Sequence, residues 1–240
     1  MGSGEATIEP GGEPPRPAPT ATVRAGTDAD APVAARLHAG QISQGFLSVL
    51  GPRFLCRLYR RISRSPSSFL LVATGGGVGG EAPVGFLAGS TDVGALYRSF
   101  LGRDGVAAAF QAAGPLIRNW RRVVDTLGHG ASGGTGVGRG PELLAVAVDP
   151  GWQGRGAGRM LVGAFLDEVG ARGHDAAHVV VGADNAPAVA LYRRAGFEAV
   201  ERFELHAGTE SLLMQWDRPS GLSGTAGPSG SSGTAGDGAR

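Results

Sequence analysis

Two rhythms of apolar residues divide this chain into strands and helices. Leu143-Leu144-Ala145-Val146-Ala147-Val148 is a short apolar run that predicts a strand. Met160, Leu161, Ala164, Phe165 and Val169 recur at helical spacing behind it and predict a helix to about Arg172. Upstream, Thr22 to Ala25 reads as a strand and Thr27 or Asp28 as a cap. A helix follows from Pro32 to about Gln41, with proline tolerated near its start. Gly45 to Gly51 reads as a loop. Arg53 to Ser63 is a second helix with Phe54, Leu55, Leu58 and Ile62 on one face. Phe69 to Ala73 and Pro83 to Ser90 form a hairpin around a glycine-rich connection. Downstream come a strand at His178 to Ala183 and a helix at Pro187 to Ala195, closed by Gly196. A hairpin of Phe197 to Leu205 and Ser211 to Asp217 ends the pattern. The order predicts a mixed sheet with helices on both faces.

Between the third and fourth strands the pattern turns helical over Asp92 to Gly128. Leu96, Phe100 and Leu101 form one cluster; Leu116, Ile117, Trp120 and Val124 form another. His129 to Gly140, nearly half glycine, reads as a flexible tether. Residues 1–20 are Gly, Pro and Glu with almost no apolar side chain, too little to fold by burial. Residues 219–240 are Gly, Ser, Ala and Thr and read as a flexible tail. One domain, 21–218, is left between them.

Composition narrows the function. A net charge of +1 gives no footprint for nucleic acid or an anionic membrane. A single cysteine, Cys56, excludes an internal disulfide and fits a reducing compartment. No apolar run reaches spanning length and no signal pattern opens the chain, so the expectation is a cytoplasmic protein. His174 and His178 straddle a loop and a strand start, and no cysteine helps, so no metal site is expected.

The chemistry concentrates in Val148-Asp149-Pro150-Gly151-Trp152-Gln153-Gly154-Arg155-Gly156-Ala157-Gly158-Arg159, a turn from strand to helix. The first N–H groups of a helix lack internal partners and carry the positive end of its dipole, which suits a phosphate-bearing ligand. Spacing selects among such ligands. Counted from Gly154 and Gly156, the third glycine of a dinucleotide fingerprint would fall on Arg159. A P-loop needs a lysine, and the chain has none. What fits is Q-x-x-G-x-G, with Gln153, Gly156 and Gly158.

This loop resembles the pyrophosphate-binding loop of the GCN5-related N-acetyltransferase (GNAT) superfamily. Asn185-Ala186-Pro187-Ala188-Val189-Ala190-Leu191-Tyr192-Arg193-Arg194-Ala195-Gly196-Phe197 resembles the family's second signature, N-x-x-A-x-x-L-Y-x-x-x-G-F. The resemblance spans roughly Glu142 to Asp217. It implies the acyl-CoA N-acyltransferase fold, an α/β (α+β) class: a mixed, mostly antiparallel sheet of six to seven strands. The helices at 92–128 are then an insertion between strands 3 and 4.

It also implies acetyl-CoA as cosubstrate and no metal. The diphosphate would lie on Gln153, Gly154, Arg155, Gly156, Ala157, Gly158 and Arg159. The pantetheine arm would pair with the main chain of Val146, Ala147 and Val148, as an added strand does. Asn185 would hold the loop and touch the arm. Tyr192 would protonate the departing thiolate, and Glu142, entering the fourth strand, would take the amine proton. In ribosomal-protein acetyltransferases of the family a fifth-strand glutamate serves as base; Val180 stands at that position here. The leading expectation is acetyl transfer to a small primary amine, the acceptor pocket walled by residues 44–51 and the inserted helices. The alternatives are a protein N-terminal or side-chain acetyltransferase, or a non-catalytic acyl-CoA sensor. The amphipathic insertion would suit a homodimer contact. His38 is expected to be partly exposed.

Overall fold

The computed structural model describes residues 21–42, 50–77, 80–100, 102, 138–206 and 209–219. Seven strands are β1 (Ala21–Ala25), β2 (Ser68–Gly77), β3 (Gly80–Ser90), β4 (Glu142–Val148), β5 (Ala176–Gly182), β6 (Glu198–His206) and β7 (Thr209–Asp217). The helices are α1 (Ala31–Gln41), α2 (Pro52–Arg64), α3 (residues 93–100), α4 (Ala157–Ala171) and α5 (Ala186–Arg194). The strands form one sheet in the order β1-β2-β3-β4-β5-β7-β6. Every neighbouring pair is antiparallel except β4 and β5, which run parallel. The expected mixed, mostly antiparallel architecture is present.

The helices cover both faces because each strand offers apolar side chains in both directions. On one face α4 and α5 pack Leu161, Val162, Phe165, Val169, Val189 and Tyr192 against Ala177, Val179 and Val181. On the other, α1, α2 and α3 pack Leu37, Leu55, Leu58, Tyr59, Leu96 and Phe100 against Phe86, Ala88 and Ala147. Full burial of such an aliphatic or aromatic side chain contributes roughly 1.5–3 kcal/mol. Thr27 caps the short 3-10 turn Asp28–Asp30 that leads into α1, its N–H donating to Asp30 Oδ2 at 2.8 Å. Arg24 clamps the same carboxylate at 2.7 Å.

β4 departs from regularity twice. Its register with β3 slips so that Gly89 faces Leu143 and Ala88 faces Ala145, leaving Leu144 as the extra residue of a bulge. Leu144 and Ala145 therefore both turn to the α1 face, while Leu143 before them and Val146 after them turn to the α4 face. Against β5 the strand keeps a single register pair, Glu142 with His178. β5 and β7, by contrast, stay paired from Ala176–Asp217 to Gly182–Ser211. The sheet is thus split down its middle beyond Glu142.

Several boundaries differ from the sequence reading. The glycine-rich connection of the first hairpin is itself strand, with Thr74 to Gly77 pairing against Gly80 to Pro83. Gly75 is needed there because a Cβ would stand 2.3 Å from the Trp152 ring packed on it. β5 opens at Ala176, two residues earlier than expected. Of the tether, Gly138 to Gly140 lies fixed on the sheet: Arg139 N donates to Gln215 Oε1 at 2.8 Å, and Gln215 Nε2 donates to the Arg139 carbonyl at 3.2 Å. The expected loop at 44–51 lies almost wholly outside the described residues. So do most of the expected insertion beyond α3 and both expected tails.

Candidate active site

The turn after β4 is built for close approach of a ligand to backbone. Asp149 Oδ1 accepts from Gly151 N at 3.0 Å and sets the short 3-10 turn Pro150–Trp152. Gly154 and Gly156 then take φ of 73° and 86°, a left-handed conformation costly for any residue with a Cβ. At neither position would a Cβ meet an atom within 4 Å, so backbone conformation and not crowding calls for glycine here. α4 starts at Ala157, and its opening N–H groups have no partner within the helix. Among the described residues no backbone bond engages the amides of Gly154, Arg155 or Gly156 either. The result is a run of amides at the positive end of a 15-residue helix.

The neighbours of this turn divide the remaining work. A Cβ on Gly158 would lie 3.5 Å from Leu191, an ordinary contact, so packing against α5 does not by itself demand glycine there. Gln153 Nε2 donates to the Val148 carbonyl at 3.1 Å and to Gln41 Oε1 at 3.2 Å, tying the turn to the strand end and to α1. Val148 therefore offers one main-chain acceptor fewer than expected. Arg155 lies over the Trp152 ring, 5.6 Å from its centroid, while Arg159 is exposed on the first turn of α4. Asn185 caps α5, accepting from Ala188 N at 3.2 Å.

The split between β4 and β5 leads away from this turn. Beyond Glu142 the β5-facing edge of β4 has no strand partner, so Val146 presents main-chain groups to the cleft, while Ala147, in phase with Asp149 whose N–H donates to the Val84 carbonyl, turns its own towards β3. At its closed end sits Glu142, side chain 29% exposed, its carboxyl pushed up to about 7 by burial. Its Oε2 lies 3.8 Å from His178 Nε2 on β5. Tyr97 of α3 stands beside it, its hydroxyl held neutral by burial and then by the Glu142 charge. Behind Tyr97, Tyr59 meets His38 Nδ1 at 2.5 Å; both are buried. His38 is thus enclosed, not partly exposed, and burial drives its pKa down to about 4.

Tyr192 comes from the opposite face. It is 4% exposed, its ring 5.8 Å from Phe197, and burial drives its hydroxyl pKa well up. Among the described residues that hydroxyl has no hydrogen-bond partner. Tyr97, Tyr59 and His178 were missed as site residues in the sequence. Tyr97 lies in a segment that reads as packing, and His178 shares no motif with Glu142. Among the described residues, no group of three His, Cys, Asp or Glu could hold a metal ion. No described helix is long and apolar enough to cross a membrane.

Residues 116–197 match the model of the acetyltransferase (GNAT) family. Over that segment, about a third of its length, the chain is similar to GNAT acetyltransferases. A mycothiol acetyltransferase of Saccharomonospora viridis is 39% identical over 112 residues, 45% of this chain and 34% of that protein. The [ribosomal protein bS18]-alanine N-acetyltransferase of Salmonella typhimurium is 47% identical over 55 residues, 23% of this chain and 37% of that one. These matches span little more than a third of either relative. The S. typhimurium protein yncA, solved with its cofactor acetyl-CoA, superposes with a TM-score of 0.52 at 14% identity, covering 86% of this chain and 98% of its own. That likeness is one of fold: the two chains share the same overall architecture.

Proposed function

We propose that this GNAT protein transfers the acetyl group of acetyl-CoA to the primary amine of a small molecule. One observation carries the reading: the unpaired β4 edge runs from Glu142 directly to the free amides of Gly154 to Gly158. A ligand with a diphosphate at one end and a peptide-like arm at the other suits that track. The diphosphate rests on the amides of Gly154 to Arg159 at the head of α4, with the Arg155 and Arg159 guanidinium groups nearby. The amide-bearing arm pairs with the main chain of Val146. This brings the thioester towards Glu142.

The chemistry needs one proton removed and one supplied. The amine attacks the thioester carbonyl, a tetrahedral intermediate forms, and the carbon–sulfur bond breaks. Glu142, with a pKa near neutrality, takes the amine proton, and such a base works best near its own pKa. The Tyr192 hydroxyl, neutral and without a partner among the described residues, donates to the thiolate sulfur. Val180 at the alternative base position, and the enclosed polar groups above Glu142, favour a small acceptor over a protein tail.

Thiol release from acetyl-CoA across a panel of amino sugars, amino acid derivatives and polyamines tests the reading. At least one amine should accelerate release well above the buffer rate. Tyr192→Phe should lower kcat about 10-fold or more while leaving acetyl-CoA affinity within about two-fold. Tight cofactor binding with no amine-dependent release would instead make the chain an acyl-CoA sensor.

A further inference from the structure

A row of polar side chains crosses six strands of the sheet in register. It runs Ser68 on β2, Ser90 on β3, Glu142 on β4, His178 on β5, Gln215 on β7 and Glu198 on β6. Ser68, Ser90, His178 and Gln215 are buried, and buried polar atoms without partners are costly. Most of the row is satisfied. Ser68 Oγ donates to Ser90 Oγ at 3.1 Å, and Ser90 Oγ donates to the Ser67 carbonyl at 2.9 Å. Gln215 closes on the Arg139 backbone at 2.8 and 3.2 Å.

His178 is the exception. Its Nδ1 is buried and has no hydrogen-bond partner among the described residues. Gly138 roofs its ring so closely that a Cβ there would fall 2.2 Å from Cγ. Its other nitrogen faces Glu142 Oε2 at 3.8 Å, across the one register pair that joins β4 to β5. A ring kept only to fill space has no need of a nitrogen in either place.

We infer that His178 is the positioning residue of Glu142, the two sharing one proton across the β4–β5 seam. The proton sits on the carboxyl with a neutral ring, or on the ring with a carboxylate facing it. This rests on the reading of Glu142 as base. The proton that Glu142 takes from the amine passes to His178 Nε2, and the carboxylate is restored; no other bond changes. A closure of well under 1 Å makes the present 3.8 Å a hydrogen bond.

Burial disfavours the charged form of each partner. Burial raises the Glu142 carboxyl to about 7 and lowers His178, while backbone groups of Arg139 and Gly140 beside the ring push His178 back up. Other groups face the pair without adding a fixed charge. Tyr97 from α3, 37% exposed, has its hydroxyl pKa raised by desolvation and then by the Glu142 charge, and the buried Tyr59 of α2 and neutral His38 of α1 lie beyond it. Gln215 of β7 is uncharged and separates His178 from Glu198 of β6. The Arg139 guanidinium turns away to Asp217 at 2.5 Å.

Site-resolved NMR titration of the whole chain, with labelled Glu carboxyl and His ring carbons, tests the pair without any acceptor. In the unaltered protein both signals should follow the same two macroscopic steps. His178→Gln should raise the Glu142 midpoint by about one pH unit or more. Glu142→Gln should lower the His178 midpoint by the same amount, because linkage is reciprocal. Shifts below about 0.3 pH units, or a shift at only one partner, overturn the pair. If His178→Gln does not fold, the Glu142→Gln titration decides alone. Amine-dependent thiol release by Glu142→Gln separates this inference from the reading beneath it. Reciprocal shifts with undiminished release would keep the pair and remove the base. Lost release with independent titrations would keep the base and remove the pair.

Discussion

A single side chain in this protein answers to its enclosure before its chemistry. His38 shows this most directly. Its position on α1 is visible in the sequence, but its environment is not, because Tyr59 lies 21 residues away on another helix. Buried and joined to that hydroxyl at 2.5 Å, it is held neutral, with a pKa lowered from 6.5 to about 4. The sign of the consequence follows. The folded state resists protonation, so the stabilisation is complete above pH 6.5 and is lost as the pH falls through 4. The depression corresponds to roughly 3 kcal/mol. His38→Gln should therefore flatten the fall in urea-unfolding free energy between pH 7 and pH 4, by about 2–3 kcal/mol. An unchanged slope would place the acid sensitivity elsewhere, with Asp30, held near 2 by Arg24, acting only below that window.

At the scale of an element, the β4–turn–α4 unit was the most legible part of the chain. The spacing of Gln153, Gly156 and Gly158 is a local property, and the need for glycine at 154 and 156 follows from left-handed backbone alone. Gly156→Glu tests what the turn is for. It puts a strained residue and a negative charge among the free amides, and should abolish the rise in Tm that acetyl-CoA produces. That rise reflects about 2.7 kcal/mol at 100 times Kd. An undiminished rise would show that the diphosphate sits elsewhere. What the unit's sequence did not reveal is the bulge at Leu144. An alternating run looks the same with or without an extra residue; only pairing with β3 exposes it. Nor did the glycines at 75–77 announce a strand, because the use of Gly75 is to admit Trp152, 77 residues further on.

The whole molecule is organised around a sheet divided between β4 and β5 and covered by helices on both faces. If acetyl-CoA fills that division as a strand would, amide exchange across 143–148 should slow markedly when it binds. The β1–β2 pair, remote from the split, should exchange as before. Equal protection everywhere, or none in β4, would exclude strand-like docking. The sequence by itself determined the order of elements, the glycine turn before α4 and the α5 signature with Asn185 and Tyr192, since each depends on residues close in the chain. Tertiary structure alone decided that β4 parts from β5 after Glu142, and that Glu142 faces His178 and Tyr97, with the Tyr59–His38 pair enclosed beyond Tyr97. Those relations join positions 36 to more than 100 residues apart, chosen by strand register and helix packing. Register is set by how all the apolar faces are buried at once, and no local pattern along the chain encodes it.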